Sequence, residues 1–245
     1  MKTKKILPIV LAVLILGGAV VLLLLPAGNI RFDGNEYYSE AELKELIFGE
    51  EEPRYFLVRL QEWLGRHTDI PFVESYSLHF GEKRSIRVQI YERSLAGYLS
   101  FQNYHLYFDW SGTIVETNSR RIDGIYEITG LEISQAVVGQ KLPLSDESHL
   151  RSILSITQFL NSESYREGSR EVPFSEAAQS IHFQGNNVSV VLKDITVFLG
   201  SSDNLEPKLY LMCDILPSLA GRKGTLYLDT YSSAATHPSY TFRER

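Results

Sequence analysis

An α+β fold, two extracytoplasmic domains behind one membrane-spanning helix, is predicted by three features of the chain. The first is a run of residues without charge that opens at Ile6 and closes at Leu25. The second is a strand–helix–helix–strand–strand order over residues 27–92. The third is a strand-rich remainder, residues 93–232, interrupted by two amphipathic helices.

The apolar run is dominated by Leu, Val and Ile, broken only by Pro8, Gly17 and Gly18. Twenty helical residues at ~1.5 Å each reach ~30 Å, the thickness of a bilayer's hydrocarbon core. Lys2, Lys4 and Lys5 precede it, and no Lys or Arg follows until Arg31. Positive charge held on the cytoplasmic side predicts residues 1–5 inside, residues 6–25 across the membrane and everything after outside. A cleaved signal peptide is the rival reading. The run is longer than the ~7–15 residues such peptides use, and Pro26-Ala27-Gly28 is a poor cleavage sequence.

Ile30 and Phe32 alternate with Arg31 and Asp33, a short strand that ends at the turn pair Gly34-Asn35. Ser39 three residues before Glu42 forms a capping box, and Leu43, Leu46 and Ile47 give the helix that follows one apolar face. A second short helix is predicted over residues 58–67, with Leu60, Trp63 and Leu64 inward and Pro71 beyond its end. Residues 73–80 and 86–91 read as strands joined by the loop 81–85.

The later segment reads as strands at residues 96–100, 104–108, 113–116 and 125–128, with Asp109-Trp110-Ser111-Gly112 as a turn. Ser145 is expected to cap a helix whose stripe is Leu150, Ile153, Leu154, Thr157 and Leu160. Strands at 179–183, 188–192 and 195–199 follow. Leu205, Leu209, Met212, Ile215, Leu216 and Leu219 mark a second helix, and residues 225–230 a final strand. Residues 161–170 and the last ten residues are polar enough to be mobile, and residues 233–245 are taken as a tail.

Charge and composition exclude several functions. Beyond the apolar run the chain carries 21 Lys and Arg against 30 Asp and Glu, a net charge of −9. Nucleic-acid binding needs a clustered basic surface, which this balance does not supply. Cys213 is the sole cysteine, so no intrachain disulfide can form. The six histidines fall in no metal-ligand spacing, and no nucleophile elbow, phosphate-binding loop or dinucleotide fingerprint is present. Asp109 and Asp229 read as residues that bond local backbone rather than as paired acids. No catalytic residue, metal site or cofactor is expected.

These residues carry a resemblance. Ile30-x-Phe32-x-Gly34-Asn35, Tyr38-Ser39-x-x-Glu42-Leu43, Pro71-Phe72-Val73 and Ile86-x-Val88-x-Ile90-Tyr91-Glu92-Arg93 are similar to a POTRA domain. Tyr107-x-Asp109-x-x-Gly112-x-Ile114-Val115, Ile128-Thr129-Gly130-Leu131, Val197-x-Leu199-Gly200, Lys208-Leu209 and Gly224-x-Leu226-x-Leu228-Asp229 follow in the order of the β domain of the FtsQ/DivIB family of bacterial cell-division proteins. The resemblance implies a non-enzymatic scaffold of the division machinery, in the cell membrane with a single span and enriched at the septum. It implies FtsB/DivIC-like and FtsL-like partners and, through them, the septal peptidoglycan synthase. A POTRA-bearing chaperone or secretion adaptor is the alternative, and a membrane-tethered hydrolase a more distant one.

Candidate partner residues are Lys208, Thr225, Leu226, Tyr227, Leu228, Asp229, Tyr231 and Ser232. If the final strand is the sheet's edge, a partner strand can pair with its free backbone groups while Tyr227 and Tyr231 select the partner; the rival reading is that the tail, residues 233–245, caps that edge. Arg84 and Arg87 are a possible second docking face on the POTRA-like domain.

Overall fold

The computed structural model describes residues 3–133, 135–231 and 240–245, without the side chains of residues 3–9 and 12. The chain divides into two units, Met1–Arg93 and Ser94–Arg245.

In the first unit, α1 (Thr3–Leu24) covers the apolar run. The anchor expected there is nonetheless overturned. Among the described residues no helix is long and apolar enough to cross a membrane. The expected single-span placement in the cell membrane falls with it. The described side chains of α1 are exposed.

Past α1 come β1 (Ile30–Asp33), α2 (Glu40–Phe48), α3 (Tyr55–Trp63), β2 (Val73–Phe80) and β3 (Ile86–Glu92). The sheet order is β1-β3-β2. β1 runs parallel to β3 with Phe32 opposite Val88, and β2 runs antiparallel to it. Alternation explains the core: Ile86, Val88 and Ile90 are buried from β3, beside Phe32. The capping box is present, with the Glu42 amide donating to Ser39 Oγ at 3.3 Å and the Ser39 amide to Glu42 Oε2 at 2.9 Å.

α3 differs from expectation. It starts at Tyr55, three residues before the predicted start, and its buried residues are Tyr55 and Val58. At ~100° per residue, positions 60, 63 and 64 then fall on the far side. Leu60, Trp63 and Leu64 are accordingly exposed, Trp63 at 79%.

The second unit holds β4 (Leu95–Phe101), β5 (Tyr104–Asp109), β6 (Ile114–Asn118), β7 (Glu127–Thr129), α4 (Glu147–Ser162), β8 (Ser164–Glu167), β9 (Arg170–Pro173), α5 (Phe174–Ala177), β10 (Ala178–Gln184), β11 (Asn187–Leu192), β12 (Ile195–Ser201), α6 (Leu205–Ile215), β13 (Gly224–Tyr227) and β14 (Thr241–Glu244). Among the described residues nine strands form one mixed sheet, in the order β14-β13-β12-β11-β10-β7-β4-β5-β6. It is larger than the expected one because β14 joins it from the region read as a mobile tail. Residues 161–170 are likewise ordered: they end α4 and enter the hairpin β8–β9.

Parallel neighbours need crossovers; β4 and β7 pair parallel with β5 and β6 between them in the chain, and helices supply the two later crossovers. β7 pairs parallel with β10, and α4 lies between them in the chain. β12 pairs parallel with β13, and α6 lies between those. Both helices join one core with Ile181, Phe183, Val188, Val190, Val197, Leu199 and Leu226. α4 is capped by Asp146 rather than Ser145, its side chain accepting from the Ser148 amide at 2.7 Å. Its buried face takes in Ile156 and Phe159 besides Ile153, Thr157 and Leu160. After α6, Pro217 lies in a short 3₁₀ turn, Leu216–Leu219, which carries the chain to β13.

Candidate functional site

β13 is where the sequence places the partner edge, and its residues with Leu228 just past its end show why that edge is firm. Leu226 and Leu228 alternate inward and are fully buried, whereas Thr225 and Tyr227 are partly exposed on the opposite face. β12 holds one side of β13 in parallel register, Val197 opposite Leu226 and Phe198 opposite Tyr227. The Phe198 and Tyr227 rings meet edge to face at 5.7 Å, a pair that adds about 0.5–1.5 kcal/mol beyond burial.

The other side of β13 is not free, because a strand from the tail region covers it. β14 pairs antiparallel along it: Gly224 opposite Glu244, Thr225 opposite Arg243, Leu226 opposite Phe242, Tyr227 opposite Thr241. Gly224 permits this closeness, because a Cβ there would lie 2.1 Å from the Arg243 carbonyl oxygen. Arg222 Nε donates to Glu244 Oε1 at 2.7 Å and its guanidinium lies 4.7 Å from the Phe242 ring centre. Arg243 stacks over Tyr227 at 5.0 Å. Arg222, Phe242, Arg243 and Glu244 are the residues sequence reasoning missed. Their signal is the alternation Tyr240-Thr241-Phe242-Arg243, a strand pattern hidden in a stretch read as mobile.

The predicted final strand also ends early. Residues 229–230 turn, and the Tyr231 amide donates to the Leu228 carbonyl at 3.1 Å. Asp229 is exposed and lies against Gly200, which has φ +71° and where a Cβ would lie 2.6 Å from Asp229 Cβ, so glycine alone fits. Tyr231 is half-buried, and Ser232 lies outside the described residues.

Lys208 is not partner-facing. It is 4% exposed, and its Nζ donates to the Ser201 carbonyl at 3.1 Å, tying α6 to the end of β12. Burial depresses its pKa, and the charges of Asp203 and Asp229 recover part of that loss. Lys208 is a residue that fixes the fold at this end of the sheet.

The two arginines of the supposed second face are separated in role. Arg87 lines a cavity of about 550 Å³ with Arg31, His79 and Gln89, and its Nε is 3.6 Å from Asp33 Oδ2. Arg84 is not among the lining residues. It lies in the turn before β3, at φ +63°, and its carbonyl accepts from the Gly28 amide. Of the expected anchor's ends, Ile6 is within α1 with its side chain undescribed, and Leu25 follows α1 and accepts from the Tyr55 amide at 3.1 Å.

Among the described residues no group of three or more His, Cys, Asp or Glu could hold a metal ion. Burial pushes the Cys213 thiol up to about 11, so it is a poor nucleophile at neutral pH. What the β13–β14 end offers chemically is main-chain pairing flanked by stacked rings and cations. No family model matches this chain, and no curated protein matches it in sequence.

Proposed function

We propose that this chain is a non-catalytic scaffold for proteins of bacterial cell division, and that it holds a partner by main-chain pairing at the β13–β14 end of its large sheet. The observation that carries the reading is β13 itself. It is pinned from within by Leu226 and from one side by β12, so the line of backbone groups that β14 occupies on its other side is held on a rigid support. Tyr227 and Phe198 stand beside that line of groups and supply side-chain selectivity. The first unit adds support for a POTRA-like domain, since its strand–helix–helix–strand–strand order closes into a sheet with β1 parallel to β3. The partners in this reading are FtsB/DivIC-like and FtsL-like proteins, and through them the septal peptidoglycan synthase.

The test is capture of the full chain by an immobilised FtsB/DivIC-like ectodomain, compared with Tyr227→Ala. Tyr227 is partly exposed, so the variant should keep its fold by circular dichroism. Retention of the wild type with at least about tenfold weaker retention of the variant, about 1.4 kcal/mol, is expected. Equal retention of both would move the contact away from β13, and no retention of either would remove the scaffold reading.

A further inference from the structure

We propose that β14 is a resident strand in an acceptor slot, and that a partner's extended segment enters by replacing it against β13. This rests on the reading that β13 is the partner edge, and adds how that edge is regulated. The two strands are built differently. β13 carries two fully buried side chains on its inner face, counting Leu228 just past its end, and is paired to β12. β14 pairs over four residues, and Thr241, Arg243 and Glu244 are exposed, which leaves Phe242 as its one half-buried anchor.

What else holds β14, apart from its main-chain pairing with β13, is largely exposed. The Arg222–Glu244 pair has side chains 46% and 61% exposed, and exposed ion pairs contribute little. The rings and cations of Arg222 over Phe242 and Arg243 over Tyr227 are surface contacts of the same kind. Removing β14 therefore uncovers little apolar surface, whereas removing β13 would open the core.

Replacement is favoured over addition outside β14. Arg243, Glu244 and Arg245 place three charges in the last three positions, and charged edges discourage further pairing. The slot also states what it accepts. It takes an antiparallel segment with an aromatic residue at the position of Phe242, beneath Arg222. A basic residue follows, over Tyr227, and then an acidic one facing Arg222. Close backbone approach is required opposite Gly224. While β14 is in place, the apparent affinity for such a segment is reduced by the fraction of chains with the slot open.

The probe is a fluorescein-labelled peptide, Tyr-Thr-Phe-Arg-Glu-Arg, copying residues 240–245, added to the full chain and followed by anisotropy. Thr225 and Arg243 are directly opposite, so Thr225→Cys with Arg243→Cys, in a Cys213→Ser background, places two thiols where a cross-strand disulfide can lock β14 down. The oxidised form is expected to bind the peptide at least about tenfold more weakly than the reduced form. A second variant, Phe242→Ser, removes the anchor and is expected to raise the apparent affinity about tenfold over wild type. Equal binding by oxidised and reduced forms would overturn replacement, as would no gain from Phe242→Ser. Failure of the ectodomain capture described above, with the peptide still entering the unlocked slot, would remove the division partners and leave strand replacement standing.

Discussion

At the scale of single residues, Lys208 separates a structural charge from a partner-facing one. Its amine is buried and spends its charge on the Ser201 carbonyl. Lys208→Met leaves that carbonyl without its charged donor and is expected to cost about 1–3 kcal/mol in urea unfolding. Capture by a partner's ectodomain should be unchanged under conditions where the variant is folded. Asp109 is the second informative residue. Its Oδ1 accepts from the Ser111 amide at 2.8 Å, the Ser111 hydroxyl at 2.6 Å and the Thr113 amide at 2.9 Å. Burial works to raise its pKa, but these donors, with Lys141 nearby, prevail and hold it below the ordinary carboxylate value. A depressed native pKa means a contribution present above the unfolded value of about 4 and lost as pH falls through the native one. Asp109→Asn should therefore lower stability at pH 7, by less than about 1 kcal/mol because the carboxyl is largely screened by solvent, and the difference should vanish in strong acid, which urea midpoints across that range will show. The turn role of Asp109 was legible because a carboxylate two residues before Ser and three before Gly bonds its own turn. The burial of Lys208 was not legible, because it depends on where the β12 end falls beside α6.

At the scale of elements, period and capping carried most of what the sequence disclosed. The capping box at Ser39 and the alternation of β3 are local, and both are in the structure. Boundaries set by tertiary contact were harder. α3 starts before its expected first residue and buries Tyr55 and Val58, a packing face that leaves Trp63 on the surface. β13 is shorter than expected because Gly200 brings Asp229 close and the chain turns there. β14 was missed because a lone four-residue strand has too little pattern of its own, and its pairing with β13 is a long-range event. Gly130 shows how an element junction depends on one residue. It has φ +80°, and a Cβ there would lie 1.8 Å from the Phe183 carbonyl oxygen, just past the pairing of β7 with β10. Gly130→Ala is expected to destabilise the second unit by at least about 2 kcal/mol, read from its thermal unfolding.

At the scale of the whole molecule, the two-unit division and the α+β class follow from segments that each bury a core. The apolar run was read as a span from length and charge bias, and among the described residues no helix meets that requirement. β13, the strand that the sequence offers as a partner edge, is covered on its outer side by β14 of the same chain. That occupancy turns the scaffold proposal into a statement about competition between an internal strand and an external one. The most direct test is hydrogen–deuterium exchange of the full chain with and without an FtsB/DivIC-like ectodomain. The account predicts that residues 241–244 lose protection as β14 leaves, while residues 224–228 stay protected by the incoming strand. Protection gained only around Arg84 and Arg87, or no change at β13 and β14 with the complex formed, would contradict it.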